Sequence, residues 1–200
     1  MNPEASLITE IRSCRLCSDR FAGTATGHAP RPVLVLSNQA RVLVVGQAPG
    51  ARVHASGIPF DDPSGARLRG WMGIGRTAFY DPAKLAIVPM GFCFPGYDAK
   101  GADLPPPRIC AETWRGRVMD MLPQIELTLV IGQYAQAWHL GKDRGRNVTE
   151  TVRNWRDYAA AGRLPLPHPS WRNTGWLRKN PWFEEDVVPW LRAEISRLFF

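Results

Sequence analysis

The sequence predicts an α/β fold, a three-layer sandwich with a central four-stranded, mainly parallel sheet flanked by helices. Three observations carry this expectation. Val42-Leu-Val-Val45, Leu85-Ala-Ile-Val88 and Leu127-Thr-Leu-Val-Ile131 are short apolar runs with little polar alternation, as strands buried on both faces require. Stretches with helical spacing separate them, which is the order of parallel-sheet folds. The 200 residues, 44% of them hydrophobic, suit one core and are expected to form a single domain over residues 1–200.

In chain order, residues 4–13 read as a short amphipathic helix with Leu7, Ile8 and Ile11 inward. Residues 22–40 read as loop, with Val33-Leu-Val-Leu36 as an edge hairpin on the central strand. The Val42–Val45 strand runs into Gly46-Gln47-Ala48-Pro49-Gly50. In this turn the glycines admit a ligand close to backbone N–H groups and the proline stiffens the bend. Open α/β sheets place their ligands beyond the carboxyl ends of such strands. Residues 51–63 show no period and read as an ordered loop. Asp62-Pro63-Ser64-Gly65 then signals a helix start, with Leu68, Trp71 and Met72 inward. After the Leu85 strand, Pro95 to Pro107 is a proline- and glycine-rich loop leading to a helix over 108–122. Gly132 turns the third strand into a helix over 133–140, and a further helix is expected over 148–160. Leu164 to Pro167 is a short fourth strand. A last helix over 180–198 has Phe183, Val187, Trp190, Leu191, Ile195 and Leu198 inward and a kink at Pro189.

The opening residues Met1-Asn-Pro-Glu-Ala-Ser6 are polar and include an acid, unlike a signal peptide. No apolar run reaches bilayer length. The expectation is a cytoplasmic, nucleoid-associated monomer with no membrane partner. The net charge of +7 favours a polyanionic partner, most simply nucleic acid. Cys14-x-x-Cys17 with the distant Cys93 and Cys110 fits zinc or an iron-sulfur cluster by spacing, against unrelated buried thiols or a redox pair.

Four short motifs occur in a fixed order: Gly46-Gln-Ala-Pro-Gly50 after a strand, Gly57-Ile-Pro-Phe60, Asp62-Pro-Ser-Gly65 and the late His168-Pro-Ser170. Together they resemble the uracil-DNA glycosylase superfamily, closest to its iron-sulfur-containing families four and five, over roughly residues 10 to 195. The resemblance implies a monofunctional glycosylase that hydrolyses the N-glycosidic bond of uracil in DNA and so initiates base excision repair. Phe60 would lie against the flipped uracil. Asp62, matching the acid of the family-five Asp-x-Ser-Gly segment, would orient the attacking water, with Asp61 in reserve. His168, as a neutral imidazole, would donate to the uracil O2 as charge builds there. Gln47 stands where family four carries a glutamate, so it would act through its amide and not as a base. Gly46, Ala48, Pro49 and Gly50 would line the substrate site.

Ser64, Ser170, Trp171, Arg172 and Asn173 would contact DNA, with Trp171 or Arg172 filling the gap left by the flipped nucleotide. The clusters Arg172, Arg178, Lys179 and Arg52, Arg67, Arg69 would face the same DNA. By the same resemblance Cys14, Cys17, Cys93 and Cys110 would hold a structural four-iron four-sulfur cluster, with zinc as the alternative. One departure stands out. Family four has a base-reading asparagine four residues before the third cysteine, and this chain has Pro89 there. The base edge is then expected to be read by backbone groups around Met90 and Gly91 or by another side chain; family five also lacks that asparagine, and the resemblance to it implies a broader base range. The rival readings are a non-enzymatic nucleic-acid-binding module with a structural metal, and a glycosylase for another deaminated base such as hypoxanthine.

Overall fold

The computed structural model describes residues 2–200. Strands β1 (Val42–Val45), β2 (Leu85–Ile87), β3 (Leu127–Ile131) and β4 (Arg163–Leu166) form one sheet in the order β2-β1-β3-β4, and every pair is parallel. β1 and β3 are interior strands with every residue buried, which explains their unbroken apolar sequences. β4 lies at an edge, where Pro165 is tolerated because one side of the strand needs no donor. Alternate strand residues point into two separate cores. Val42, Val44, Ile87, Leu129 and Ile131 join Leu68, Trp71, Phe183 and Leu191 of helices Pro63–Met72 and Val188–Phe199 and the turn before the latter. Leu43, Val45, Val88 and Val130 join Leu7, Ile11, Trp114 and Ala135 of helices Pro3–Arg12, Arg108–Asp120 and Gly132–His139. The molecule is the expected three-layer α/β sandwich. No helix among the described residues is long and apolar enough to cross a membrane.

The strand order matters for the site. The chain leaves β1 for β2 on one side and later returns to β3 on the other, so the order reverses between β1 and β3. The carboxyl end of that junction is where such sheets open a crevice.

Four local expectations are corrected. Val35 exchanges backbone hydrogen bonds with Ile87, at 2.9 and 2.8 Å and antiparallel, so the 33–36 segment borders β2. It has no access to β1, whose two edges are already paired. Residues 51–56 form the helix Ala51–Ser56, which ends at Gly57 with φ 73°. Only Val53 is buried there, so no apolar period marks it. The helix expected over 148–160 breaks at Asn154 into Val148–Arg153 and Trp155–Ala160. The last helix is preceded by a π-type turn, Phe183–Val187, and Pro189 sits in its first turn, where a missing N–H costs nothing. That proline starts a helix and does not kink one.

Candidate active site

Helix Pro63–Met72 starts where it does because Asp62 Oδ1 accepts the Gly65 N–H at 2.8 Å and Pro63 occupies the first turn. The residues just before it are strained. Phe60 has φ 55°, the one positive φ outside glycine among the described residues. Neighbours hold it there. The Tyr80 hydroxyl donates to the Pro59 carbonyl at 2.9 Å and the Arg69 guanidinium to the Phe60 carbonyl at 3.2 Å. Two glycines make room. A Cβ on Gly65 would stand 1.8 Å from the Phe60 carbonyl oxygen, and one on Gly46 would stand 3.3 Å from the edge of the Phe60 ring. The ring is thereby laid against the turn that follows β1.

His168 comes two residues after β4 ends. Its Nδ1 accepts the Ser170 N–H at 3.2 Å, so a neutral ring carries its proton on Nε2. Burial lowers the His168 pKa, against the opposing charges of Asp62 and Asp103 and with help from Arg172, and the ring is neutral at physiological pH. Asn173 donates to the His168 carbonyl at 2.8 Å. Arg67 donates to the Ser170 carbonyl at 2.9 Å and to Thr174 Oγ1 at 3.3 Å, tying the capped helix to the loop after His168. Trp171 projects from that loop 71% exposed, with the Arg172 guanidinium 5.8 Å from its ring centroid.

These elements enclose one cleft of about 390 Å³. Phe60, Asp62, Ser64 and Gln47 line it together with Gly46, Ala48, Pro49 and Gly50 of the turn and His168, Ser170, Trp171 and Arg172 of the late loop. Asn173 supports the His168 backbone and is not on this wall. A second, polar cleft of about 650 Å³ shares Gln47 and His168 with the first and is lined by Gln133, Arg144 and Asn147. Asp61 does not line the first cleft. It pairs with Arg76 at 2.9 Å, which leaves Asp62 as the carboxylate of this segment that faces inward.

The expectation for Met90 and Gly91 is not met. Neither lines the cleft, and their N–H groups donate to the Gly46 and Gln47 carbonyls at 2.9 and 3.0 Å. The Val88 and Pro89 carbonyls accept from Arg115 at 3.1 and 2.6 Å. This stretch stitches the end of β2 to the turn after β1, and its donors are used in doing so. Arg67 and Arg69 also differ from expectation, since both bond to protein carbonyls, whereas Arg52 does line the cleft. Two cleft residues with polar side chains escaped the sequence reading, Tyr97 and Asp103, both on the loop between Cys93 and Cys110. The only sequence signal for Asp103 was an acid in a proline-rich loop.

Cys14, Cys17, Cys93 and Cys110 are all free thiols and line one apolar space with Phe21, Trp114 and several prolines. No three His, Cys, Asp or Glu among the described residues are arranged to hold a single ion. Burial pushes the Cys93 thiol up to about 12 and the Cys110 thiol up to about 11. The Phe92 N–H donates to Cys110 Sγ at 3.4 Å. Arg115 is 2% exposed and has no carboxylate partner among the described residues. Burial lowers its pKa to about 10, so it remains a cation, and Cys110 is the one titratable group that works against this lowering.

The family model described as Uracil DNA glycosylase superfamily matches residues 35–192, a span that holds Gly46–Gly50, Phe60, Asp62 and His168.

Proposed function

The chain belongs to the uracil-DNA glycosylase superfamily, a family of DNA glycosylases, and from that premise we propose that it hydrolyses the N-glycosidic bond of uracil flipped out of DNA. The observation that carries this reading is the meeting of Phe60, Asp62 and His168 in one cleft, with the imidazole proton on the nitrogen left free. Bond cleavage puts positive charge on the sugar and negative charge on the leaving base. The Phe60 ring stacks on the base. His168 Nε2–H donates to the base oxygen as charge develops there, and its neutrality makes it a donor with no charge for the empty site to bury. Asp62, fixed by its capping bond, opposes the sugar's positive charge and orients the water. Trp171 or Arg172 would fill the vacated stack, and the polar second cleft beside His168, with Arg144 and Arg146 on its wall, suits the continuing strand. The proposed reaction is monofunctional: water attacks the sugar, and no lysine forms a Schiff base.

The four cysteines would hold a four-iron four-sulfur cluster, whose contribution is a covalent tie between the N-terminal helix and the 93–110 segment. The apolar space, the N–H donated to Cys110 and the buried Arg115, which has no carboxylate partner among the described residues, all suit an anionic thiolate-bound centre.

The test is incubation of the purified protein with an oligonucleotide carrying one uracil, followed by alkaline cleavage, with hypoxanthine and thymine controls. Cleavage at uracil is expected, together with a loss of about 10²-fold or more in Asp62→Ala and in His168→Ala. Iron and acid-labile sulfide in equal amounts are expected in the same preparation. Tight DNA binding without base release would overturn the reading in favour of a binding module.

A further inference from the structure

The mechanism above leaves one carboxylate of the cleft without a task. Asp103 closes a short hairpin, paired across to Tyr97, that forms part of the cleft wall. The hairpin is rigid for local reasons. Asp98 N–H donates to the Ala102 carbonyl at 2.8 Å, and Asp98 Oδ1 accepts the N–H groups of Lys100 and Ala102 at 2.8 and 2.9 Å. Leu104 N–H donates to the Gly96 carbonyl at 2.9 Å, and the Gln47 amide reaches the Leu104 carbonyl at 3.4 Å. Asp103 is thus held in place relative to the turn after β1.

Its carboxylate, by contrast, is free. Among the described residues it forms no ion pair and accepts no hydrogen bond. The titratable groups that act on it are Arg172, His168 and Asp62, and all three line the same cleft, so the group faces inward. Arg52 lines the cleft as well, and Asp98 and Lys100 are the charges on its own hairpin. The other candidates already have duties. Asp62 Oδ1 caps the helix and His168 Nδ1 accepts from Ser170.

Hydrolysis of a glycosidic bond asks two things of carboxylates: a fixed anion facing the sugar, and an acceptor for the proton of the water. Asp62, locked at a helix start, suits the first. Resting on the glycosylase reading, we propose that Asp103 is a second catalytic carboxylate of the cleft, the base that takes the proton of the attacking water. The bond between C1′ and the base nitrogen breaks and its electron pair leaves with the base. The water oxygen bonds to C1′, and one of its protons passes to Asp103, which later returns it to solvent. His168 Nε2–H holds the departing base until solvent protonates it. Partial removal from water raises the proton affinity of Asp103, as a working base requires, with Arg172 and His168 opposing.

The test is single-turnover uracil excision by the full chain, wild type against Asp103→Asn and Asp103→Glu, from acid to alkaline pH, with DNA affinity measured alongside. Asp103→Asn should slow the saturated rate by about 10²-fold. Its DNA affinity should be equal or higher, because a negative charge near phosphates is gone. The wild-type rate should fall on the acid side, and that limb should vanish in Asp103→Asn and return in part in Asp103→Glu. An Asp103→Asn rate equal to wild type at every pH would overturn the assignment, as would weaker DNA binding with an unchanged saturated rate. If the wild type releases no base at all, the glycosylase reading falls first and this assignment with it.

Discussion

At the scale of single residues, the site is built by strain and by the space that admits it. Phe60 in the left-handed region costs on the order of 1–3 kcal/mol, and it persists because Arg69, Tyr80 and the two glycines hold it there. Gly65 is the most exacting position, since an added methyl would stand 1.8 Å from the Phe60 carbonyl, a backbone atom. Gly65→Ala should therefore displace the stacking ring. A melting temperature lower by several degrees is expected, with uracil excision reduced more strongly than DNA affinity. Thermal melts and single-turnover rates check this, and an unchanged excision rate would show that Phe60 does not depend on the cradle. That Asp62, Phe60 and His168 meet at one end of the sheet was legible in the sequence, because motif and turn chemistry mark them. Asp103 was not, because its role depends on which wall of the cleft the 95–107 loop forms, and no spacing rule encodes that. Met90 and Gly91 were misread for a related reason. Whether a backbone N–H is free is decided by the partner across the turn, here Gly46 and Gln47.

At the scale of elements, Arg67 joins two parts of the site that are a hundred residues apart. It leaves the helix that Asp62 starts and donates to the Ser170 carbonyl and Thr174 on the loop after His168. Removing it leaves those acceptors to water and frees the loop that carries Trp171 and Arg172. Arg67→Ala should weaken binding to uracil-containing DNA by about tenfold, the equivalent of about 1.4 kcal/mol, with little change in melting temperature. A DNA titration beside a melt tests it, and equal affinity would mean the loop is held by Asn173 alone. The strands were the most legible elements, since Val42–Val45 and Leu127–Ile131 are buried on both faces and need no alternation. Helices of one apolar contact or with an internal break were the least legible. Ala51–Ser56 buries only Val53, and Asn154, with φ -88° and ψ 24°, breaks the helix while the buried Val152 and Trp155 lie on either side of it.

At the scale of the whole molecule, charge and burial together set the conditions of use. The excess of basic residues favours a polyanionic partner, yet some cations face inward, Arg115 beside the cysteines above all. His139 lies in the same electrostatic environment. Burial first, then the charges of Arg115 and Arg163, lower its pKa from 6.5 to about 3, and its Nε2 is buried without a partner. The unfolded chain therefore binds a proton that the folded chain refuses. Stability from this residue is complete above pH 6.5 and is lost as the pH falls toward about 3, by at most about 1.4 kcal/mol per pH unit. His54 and His168 are lowered in the same direction and add to the effect. His139→Gln keeps a similar shape without the titration, so its melting temperature should fall less steeply than that of the wild type as the pH drops below 6.5. Comparing the two proteins pH by pH isolates this residue from the other histidines and from acid loss of any metal, which both variants share. Parallel curves would mean that the buried imidazole is protonated in the fold after all, with Nε2 satisfied by water.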